Sequence, residues 1–514
     1  MTGTIFNAET LLQDTVMDAD VCIVGSGAGG GVLAANLVKQ GLDVVMLEEG
    51  GFHTRKDFTL HERDALPAMY QDGGGRLTTD MAITILQGKT AGGGTAVNWT
   101  SCFPIPERIA DHWWRTYGLE GFDSESMRPY YQAVTKRMNI MEWSLQNANP
   151  NNQVLIRGCE NLGWKVGAMH RNVKGCMNTG YCGLGCPVDA KQSGFVTVLP
   201  EAVAGGMRLL TNVAADRFVM EQGRITRVEG RVVLPGESIA TGPAITVRAK
   251  IFVSSCGAIN GPALLLRSGF TSGGKVGRRT FLHPVVVSLG LFEDPILPWA
   301  GAPQSAHCHE FIDRGPDKVG YFFEAAPLLP MLASMSFKSF GARHRKFMKE
   351  LSHASAMLSL CVDGLVPGDE GGVVRVKANG RPTLDYPVGP LFHEAFESSQ
   401  EQMARIQFAA GAREVLTTHT HPLRMSDVSQ ISQVHEQSYG GFEHAIFTAH
   451  QMGGCLMGAN RAQSVVNPEL RCWDVENLYV VDGSVLPTSL GVNPSMTIYS
   501  LAERVSQGIA AAAV

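Results

Sequence analysis

A glycine-rich segment near the amino terminus constrains the fold of this chain more than any other feature. Residues 20–51 read DVCIVGSGAGGGVLAANLVKQGLDVVMLEEGG. Val21–Val24 predicts a buried strand, the following apolar residues predict a helix that ends near Gly41, and Val44–Leu47 predicts a second strand. Short apolar strands joined through a helix are typical of a buried parallel sheet, so this region predicts an α/β unit.

The spacing of these glycines predicts a binding site for a dinucleotide. Gly25, Gly27 and Gly30 have the spacing G-x-G-x-x-G between the first strand and the helix. The first glycine permits a tight turn, the second lets the backbone approach a pyrophosphate, and the third lets the helix pack on the strand. The helix amino terminus offers free N–H groups to the phosphates. Glu48, after the second strand, is predicted to accept hydrogen bonds from ribose hydroxyls. The motif alone does not distinguish NAD from FAD.

Length and charge exclude other classes of function. The chain has 514 residues, which suits two to four domains or one large domain with insertions. Its net charge is −5 and we find no basic run, which argues against nucleic acid as the main partner. No apolar stretch reaches the length of a membrane span, and the first twenty residues do not resemble a secretory signal. We therefore expect a cytoplasmic protein.

Two further blocks have the composition of ligand-binding loops. Residues 88–98 read GKTAGGGTAVN, which suits a loop whose backbone lies against a flat or charged ligand. The second block comprises HQMGGCLMG at 450–458 and the segment 477–510. There, Leu478–Val481 predicts a strand and Asp482 begins a turn. Asn493 and Pro494 open a predicted helix, since proline suits the first helical turn.

Five ordered blocks make the chain resemble the glucose–methanol–choline (GMC) oxidoreductases along nearly its whole length. They are GSGAGGGVLAANL…LEEGG, GKTAGGGTAVN, CGAINGPALLLRSG followed by His283-Pro284, HQMGGCLMG, and VVDGSVLPTSLGVNPSMTIYSLAERV. The resemblance implies FAD rather than NAD, bound covalently or non-covalently. It also implies an α/β architecture, in which a Rossmann-like FAD-binding domain carries an inserted α+β substrate domain built on an antiparallel sheet.

On this resemblance the FAD-binding domain comprises residues 15–280, including a cysteine-rich segment at 170–195, and residues 441–514. The substrate-binding domain comprises residues 281–440. Val213 occupies the position whose backbone meets the adenine. The residues predicted to contact FAD are Gly25, Gly27, Ala28, Gly30, Glu48, Gly92, Gly93, Thr95, Asn98, Val213, Asp482, Gly483, Asn493 and Pro494.

The resemblance also implies the chemistry. His450 corresponds to a histidine that faces the reactive edge of the flavin, and Asn493 to the residue that pairs with it. A neutral imidazole can accept the hydroxyl proton of an alcohol near pH 7, while an amide can only orient the oxygen. We therefore predict FAD-dependent oxidation of an alcohol to an aldehyde or ketone, with His450 as general base and Asn493 as orienting partner.

The substrate and the electron acceptor are less constrained. The segment GYFFEAAPLLPMLASMSF at 320–337 favours a hydrophobic or aromatic alcohol over a polyol, although these side chains could equally form core. The acceptor could be a protein, a quinone or dioxygen. A flavin subunit that needs a partner subunit and a flavin-containing lyase remain alternatives. The histidine pairs 307/309 and 419/421 are interpreted as structural or substrate-facing.

Three clustered cysteines raise a separate question. Cys176, Cys182 and Cys186 have the spacing C-x5-C-x3-C and precede Pro187. The C-x2-C pairs of zinc sites are absent, and a disulfide is disfavoured in a reducing compartment. The arrangement resembles the catalytic subunit of bacterial FAD-dependent glucose dehydrogenases, which implies an iron–sulfur cluster, with three irons favoured. Inert structural thiols are the alternative, and an oxidase that releases hydrogen peroxide then stays open.

Overall fold

The largest sheet of the predicted FAD-binding domain has eight strands. The computed structural model describes residues 3–237 and 239–514. Thr15–Val24 lies at the centre of the sheet, parallel to Val44–Leu47 on one side and to Ala244–Ser254 on the other. The eight strands are Thr4–Phe6, Thr15–Val24, Val44–Leu47, Arg208–Leu210, Val213–Glu221, Arg224–Val232, Ala244–Ser254 and Leu478–Val480. The predicted α/β class is confirmed.

The first glycine turn leads into a buried helix, as the sequence predicts. Helix Ala28–Lys39 is buried from Gly29 to Val38, and the chain turns away at Gly41, whose φ is 83°. It packs against the carboxyl-terminal helix Ser495–Ala513 and against Val198–Ala204. The Asn36 amide donates to the Glu503 carboxylate over 2.8 Å, which ties the two ends of the chain together.

A second, ten-stranded sheet forms the other part of the molecule. Its central strands, Val285–Leu291 and Ala354–Val362, are antiparallel and buried along their whole length, because helices cover both faces. Helix Pro390–Ala409 covers one face, and helices Pro330–Ser336 and Gly341–Glu350 belong to the apolar cluster on the other. The strands are Arg76–Leu77, Ile83–Ile85, Gly167–Ala168, Val285–Leu291, Ala306–Cys308, Gly320–Ala325, Ala354–Val362, Glu414–Thr417, Arg424–Met425 and Ile446–Thr448.

The sheet of the predicted substrate domain, residues 281–440, extends beyond that range of the chain, and the domain boundaries themselves stay a prediction. Ile446–Thr448 pairs antiparallel with Val285–Leu291 and parallel with Ile83–Ile85, and Gly167–Ala168 pairs with Ala306–Cys308. Segments outside the insertion therefore complete its sheet. Unpaired sheet edges expose N–H and C=O groups, and these strands cover them. The order of strands in a sheet does not follow from their order in the chain, so a continuous range of residues could not predict it.

The remaining elements join the two sheets. A four-stranded sheet comprises Arg278–Phe281, Gly372–Val376, Pro382–Asp385 and Met452–Gly453, and Ile140–Glu142 pairs with His170–Asn172. The other α-helices are Glu62–Met69, Gly94–Val97, Glu107–Tyr117, Ser124–Arg137, Pro150–Asn161 and Gly257–Arg267. Short 3-10 helices lie at Gln71–Gly74, Leu145–Asn147, Cys182–Leu184, Leu351–His353, Val428–Glu436 and Gly483–Val485. Among the described residues we find no helix with the length and apolar character needed to span a membrane.

Candidate active site

Two glycine loops meet above the carboxyl end of the central strands. Gly25 has a φ of 101°, and a Cβ there would lie 2.2 Å from the Ser255 carbonyl oxygen, so only glycine fits this turn. A Cβ on Gly93, in the second loop, would lie 2.8 Å from Cα of Gly27. By contrast, a Cβ on Gly27 would have no described atom within 4 Å. The two loops touch each other and leave open space over Gly27.

Glu48 links both loops through Ser26. One carboxylate oxygen accepts from the Ser26 N–H over 3.0 Å and from the Ser26 hydroxyl over 2.6 Å, and the other accepts from the Gly50 N–H over 2.8 Å. The Ser26 hydroxyl oxygen in turn accepts from the Gly92 N–H over 2.9 Å. Burial raises the pKa of the Glu48 carboxyl. Val213 is adjacent, because its N–H donates to the Glu48 carbonyl over 2.8 Å.

The other residues predicted to contact FAD hold the same region together. The Thr95 hydroxyl donates to the Gly92 carbonyl over 2.6 Å, and the Asp482 carboxylate accepts from the Ser484 and Gly257 N–H groups, both over 2.8 Å. Glu48 and Asp482 each follow a parallel strand, as ligand-contacting residues do at the carboxyl edge of such sheets. The remaining members lie at helix starts or in the loops: Ala28, Gly30, Asn98, Gly483 and Pro494.

This region fits FAD. A dinucleotide phosphate can approach the backbone over Gly27, where no side chain intervenes, next to the amino terminus of helix Ala28–Lys39. A ribose can meet the buried Glu48 carboxylate. The individual contacts of these residues with FAD stay predictions.

His450 and Asn493 come together although 43 positions separate them in the chain. Asn493 Nδ2 lies 3.3 Å from His450 Nε2. His450 follows strand Ile446–Thr448, and its N–H donates to the Thr448 hydroxyl over 3.1 Å. Asn493 lies just before helix Ser495–Ala513, and within the described chain its buried Oδ1 has no hydrogen-bond partner. Asn493 therefore keeps one acceptor available beside the imidazole.

A second imidazole, His283, contacts His450 on its opposite side. The two Nδ1 atoms are 3.1 Å apart, and the Gly491 N–H donates to His283 Nε2 over 3.1 Å. Since a backbone N–H can only donate, the proton of neutral His283 lies on Nδ1 and is shared with His450 Nδ1. Neutral His450 would then carry its own proton on Nε2, where that N–H would face the donating Asn493 Nδ2; Asn493 Nδ2 can donate only to an Nε2 without a proton. Burial lowers the pKa of His450 to about 4 and that of His283 well below its usual range, so both rings are neutral at pH 7.

Sequence analysis did not identify Glu324, which lies beside Asn493. The carboxyl group is buried within hydrogen-bonding reach of the Asn493 amide and accepts from the Gln304 amide. Burial, against the opposing effect of these two hydrogen bonds, raises the pKa of Glu324 to about 8. A single acid inside the otherwise apolar strand Gly320–Ala325 is the signal that could have identified it. His283 is the other residue whose contact was missed.

Aromatic rings complete the wall beside this histidine pair. The Phe322 ring centroid lies 5.7 Å from that of His283 and 5.2 Å from that of His309. His307 and His309 lie next to each other, with ring centroids 4.2 Å apart. Burial lowers the pKa of His307 to about 4 and that of His309 to about 3, so neither carries a charge at pH 7.

The cysteine segment packs against the second glycine loop. Cys176, Cys182 and Cys186 line one small cavity together with Lys191. Yet no three His, Cys, Asp or Glu side chains in residues 3–237 and 239–514 form a group that could hold a metal ion. Cys182 begins the 3-10 turn Cys182–Leu184, in place of the α-helical turn that the C-x3-C spacing allows.

Two buried cations flank these thiols. The Lys191 ammonium group donates to the carbonyls of Ala96, Asn98 and Cys182 over 2.6, 3.1 and 2.7 Å, and burial lowers its pKa to about 8. Arg171 is 0% exposed and lies 4.6 Å over the Trp143 ring; both of its terminal nitrogens lack a hydrogen-bond partner in the described residues. No carboxylate of the described chain forms an ion pair with either cation. Buried charge of one sign is costly unless an opposite charge compensates it.

Known structures share this fold. Pyridoxine 4-oxidase from Mesorbium loti superposes with a TM-score of 0.71 at 19% identity, covering 95% of this chain and 98% of that one. A formate oxidase superposes with a TM-score of 0.70 at 14% identity, covering 96% of this chain and 98% of that one. At these identities the similarity concerns the fold alone.

Sequence comparison is more specific. The GMC oxidoreductase models match residues 66–285 and 370–502. Long-chain-alcohol oxidase FAO4A of Arabidopsis thaliana is 33% identical over 518 residues, covering 96% of this chain and 68% of that protein. An uncharacterized GMC-type oxidoreductase of Mycobacterium tuberculosis is 30% identical over 491 residues, and the match covers 95% of this chain and 75% of that protein.

Fold and site together define an FAD-dependent oxidoreductase. Within that class, the chain belongs to the GMC oxidoreductase family.

Proposed function

We propose that this protein oxidises an alcohol to the corresponding aldehyde or ketone. The observation that carries the proposal is the contact between His450 Nε2 and Asn493 Nδ2, 3.3 Å long, which brings a neutral imidazole and a carboxamide together at one point. When bound, FAD supplies the acceptor for the hydride that leaves the alcohol carbon. The residues of the chain must bind the alcohol oxygen and take its proton.

His450 is proposed to take that proton, and Asn493 to orient the oxygen. Burial keeps His450 neutral at pH 7, which a proton acceptor requires. The hydrogen bond from His283 favours the tautomer of His450 that has its proton on Nε2, whereas the Asn493 Nδ2–H favours the tautomer with a free Nε2. Proton uptake at Nε2 requires the second tautomer, which both rings reach by exchanging their protons. The Gly491 N–H opposes this exchange, because it would then face an N–H of His283. His283 therefore controls how readily His450 acts as a base.

An alcohol with an apolar body is the proposed substrate. The wall beside the histidines contains Phe322 in a strand that is buried from Gly320 to Ala325. Substrate carbons that pack against such a surface gain about 25 cal/mol per Å² of apolar area removed from water. The long-chain-alcohol oxidases of Arabidopsis thaliana among the relatives support the same class.

Replacing His450 tests the proposed reaction. We expect His450→Ala to lose about 10²–10⁴-fold in turnover, the usual contribution of a general base, while it keeps its flavin. His421→Ala, which removes an exposed histidine, is the matched control and should behave like the wild type. The assay is anaerobic bleaching of the flavin by a series of primary alcohols of increasing chain length. Wild-type turnover in His450→Ala would exclude the assigned role.

We also propose that Cys176, Cys182 and Cys186 hold a three-iron cluster, which requires an arrangement of the three thiols other than the one in the structure. The three thiols line one cavity, and the buried cations Lys191 and Arg171 would compensate the negative charge of thiolates and cluster. Such a cluster would pass electrons singly to an acceptor protein or a quinone. Iron and sulfide analysis of protein purified without oxygen tests this proposal, with Cys182→Ser as the variant and Cys159→Ser, at a buried cysteine elsewhere, as the control. Protein without iron would show that the three thiols are structural.

An oxidase that uses dioxygen is the second candidate for the oxidative half-reaction. The relatives named alcohol oxidases favour it. Hydrogen peroxide produced in proportion to the alcohol consumed would establish this candidate. Turnover with a quinone but without peroxide would favour the cluster route.

A further inference from the structure

One exposed segment of the second domain combines basic and apolar side chains. Helices Pro330–Ser336 and Gly341–Glu350, with the turn between them, are called here the basic helix pair. Phe340, in the turn, is 91% exposed, and Met331 and Met335 are 40% and 52% exposed. Large apolar side chains exposed to this degree and grouped together mark interaction sites in soluble proteins.

The same segment carries a local excess of positive charge. Its second helix contains Arg343, Arg345, Lys346 and Lys349, all exposed, and in the described part of the chain none of them forms an ion pair. Residues 338–349 contain no acid, although the whole chain has a net charge of −5. Our expectation of no basic run is therefore wrong at this segment. The negative net charge of the whole chain conceals this basic segment.

The exposed apolar residues are not the result of a loosely packed helix pair. Phe337 and Phe347 stack with ring centroids 4.3 Å apart and are 4% and 1% exposed. Glu62 accepts from the N–H groups of Met331 and Leu332 over 2.6 and 2.7 Å, which caps the first helix. The helix pair therefore packs against the domain on one side, while Phe340 and the cations are exposed on the other.

We propose that the basic helix pair docks this protein onto the surface of an anionic lipid bilayer. Cationic and apolar side chains on one short helical segment are the combination that binds the interface of such a membrane. Lys and Arg are attracted by the lipid headgroups, and Phe and Met enter the acyl boundary. A soluble polyanion would use the charges but leave the exposed Phe340 unexplained.

The position of the docking surface is useful for an apolar substrate. The buried face of the pair belongs to the same apolar cluster as Phe322, the ring next to His283. A docked bilayer would therefore lie on the outer side of the cluster that forms the wall of the candidate site. The docking itself does not depend on the proposed reaction.

Sedimentation of the flavin-containing protein with lipid vesicles tests the proposal. We expect binding to vesicles of phosphatidylcholine and phosphatidylglycerol, weakening with salt, and little binding to phosphatidylcholine alone. Replacing Arg343, Arg345, Lys346 and Lys349 together by Gln should weaken binding about 100-fold or more, since each cation contributes about fivefold. Phe340→Ser should weaken it about tenfold or more.

Matched controls separate docking from misfolding and from other partners. Leu12→Ser removes another exposed apolar side chain, 76% exposed and far from the segment in sequence, and should bind as the wild type does. Each variant should keep its flavin absorbance and melting temperature; if Phe340→Ser does not, Met335→Ser replaces it. No sedimentation with anionic vesicles would overturn the proposal. So would binding that heparin competes away and that Phe340→Ser and Met335→Ser leave unchanged, since that result indicates a soluble polyanion.

Discussion

His283 donates its Nδ1–H to Nδ1 of His450 over 3.1 Å. The donated Nδ1–H opposes protonation of His450, whose pKa is already lowered to about 4 by burial. Removing the donor in His283→Leu should raise the pKa of His450. On the proposed mechanism activity requires neutral His450, so it falls as pH drops through that pKa, and the acid limb of kcat/KM should move to higher pH. A hydrogen bond of about 1 kcal/mol corresponds to roughly one pH unit.

The control for this prediction is another buried histidine. His419 is 3% exposed and bonds Thr417, with no contact to His450. His419→Leu should leave the acid limb in place, which separates loss of a specific hydrogen bond from loss of a buried ring. An unchanged profile in His283→Leu would show that the pair does not control proton uptake.

Glu324 makes the stability of the protein depend on pH. Its pKa is raised from 4.5 to about 8, chiefly by burial, so the folded state keeps a proton that the unfolded state releases in this range. This contribution lowers the free energy of unfolding progressively as pH rises from about 4.5 to about 8. Glu324→Gln keeps the shape and cannot ionise. Its melting temperature relative to the wild type should therefore be higher at pH 8 than at pH 5. A difference that does not vary with pH would contradict this.

Local geometry was predictable where a sequence pattern has a physical cause. The spacing of Gly25, Gly27 and Gly30 locates a turn, and the tight backbone contact at Gly25 has the predicted physical cause. Glu324 and His283 were not predictable in the same way, because their partners lie 169 and 167 positions away in the chain. Contacts between distant residues follow from packing, which local patterns do not encode.

At the scale of elements, the turn between strand Thr15–Val24 and helix Ala28–Lys39 gives a selective test of flavin binding. Gly27 has a φ of −65°, which alanine tolerates, and a Cβ there meets no described atom within 4 Å. Gly27→Ala should leave the melting temperature of the apoprotein unchanged. The methyl group would occupy the space over the helix amino terminus, so FAD affinity should fall by about tenfold to 100-fold.

Flavin content after purification, and titration of apoprotein with FAD, measure this effect. Gly508→Ala is the matched control, because a Cβ there also has open space but lies on the carboxyl-terminal helix. Gly508→Ala should retain its flavin. Equal FAD affinity in both variants would place the dinucleotide elsewhere.

Elements were predicted well where periodicity and length agree. Strand Val44–Leu47 matches its predicted bounds, and the first helix ends two residues before Gly41. The predicted strand Val21–Val24 extends back to Thr15, through residues that alternate between half-buried and exposed at the solvent-facing end. The pairing of Ile446–Thr448 with Ile83–Ile85 was not predictable, because a three-residue strand has no periodicity to read.

At the scale of the whole molecule, segments from both ends of the chain form the candidate site. Glu48 follows a strand of the first sheet, His450 follows a strand of the second, and Asn493 precedes the last helix. A ligand that contacts all of them binds only the folded chain and stabilises it by mass action. At a free FAD concentration about 100 times Kd the gain is about 2.7 kcal/mol.

Removing FAD should therefore lower the melting temperature, and adding it back should restore the value in proportion to the logarithm of its concentration. ADP, which has only the part expected near Gly27 and Glu48, should protect less than FAD when each is present at the same concentration. Circular dichroism at far- and near-ultraviolet wavelengths reports whether both sheets respond together, as expected if FAD contacts residues of each. Apoprotein that melts at the temperature of the holoenzyme, or a shift confined to one of two transitions, would show that the cofactor does not join the segments at this site.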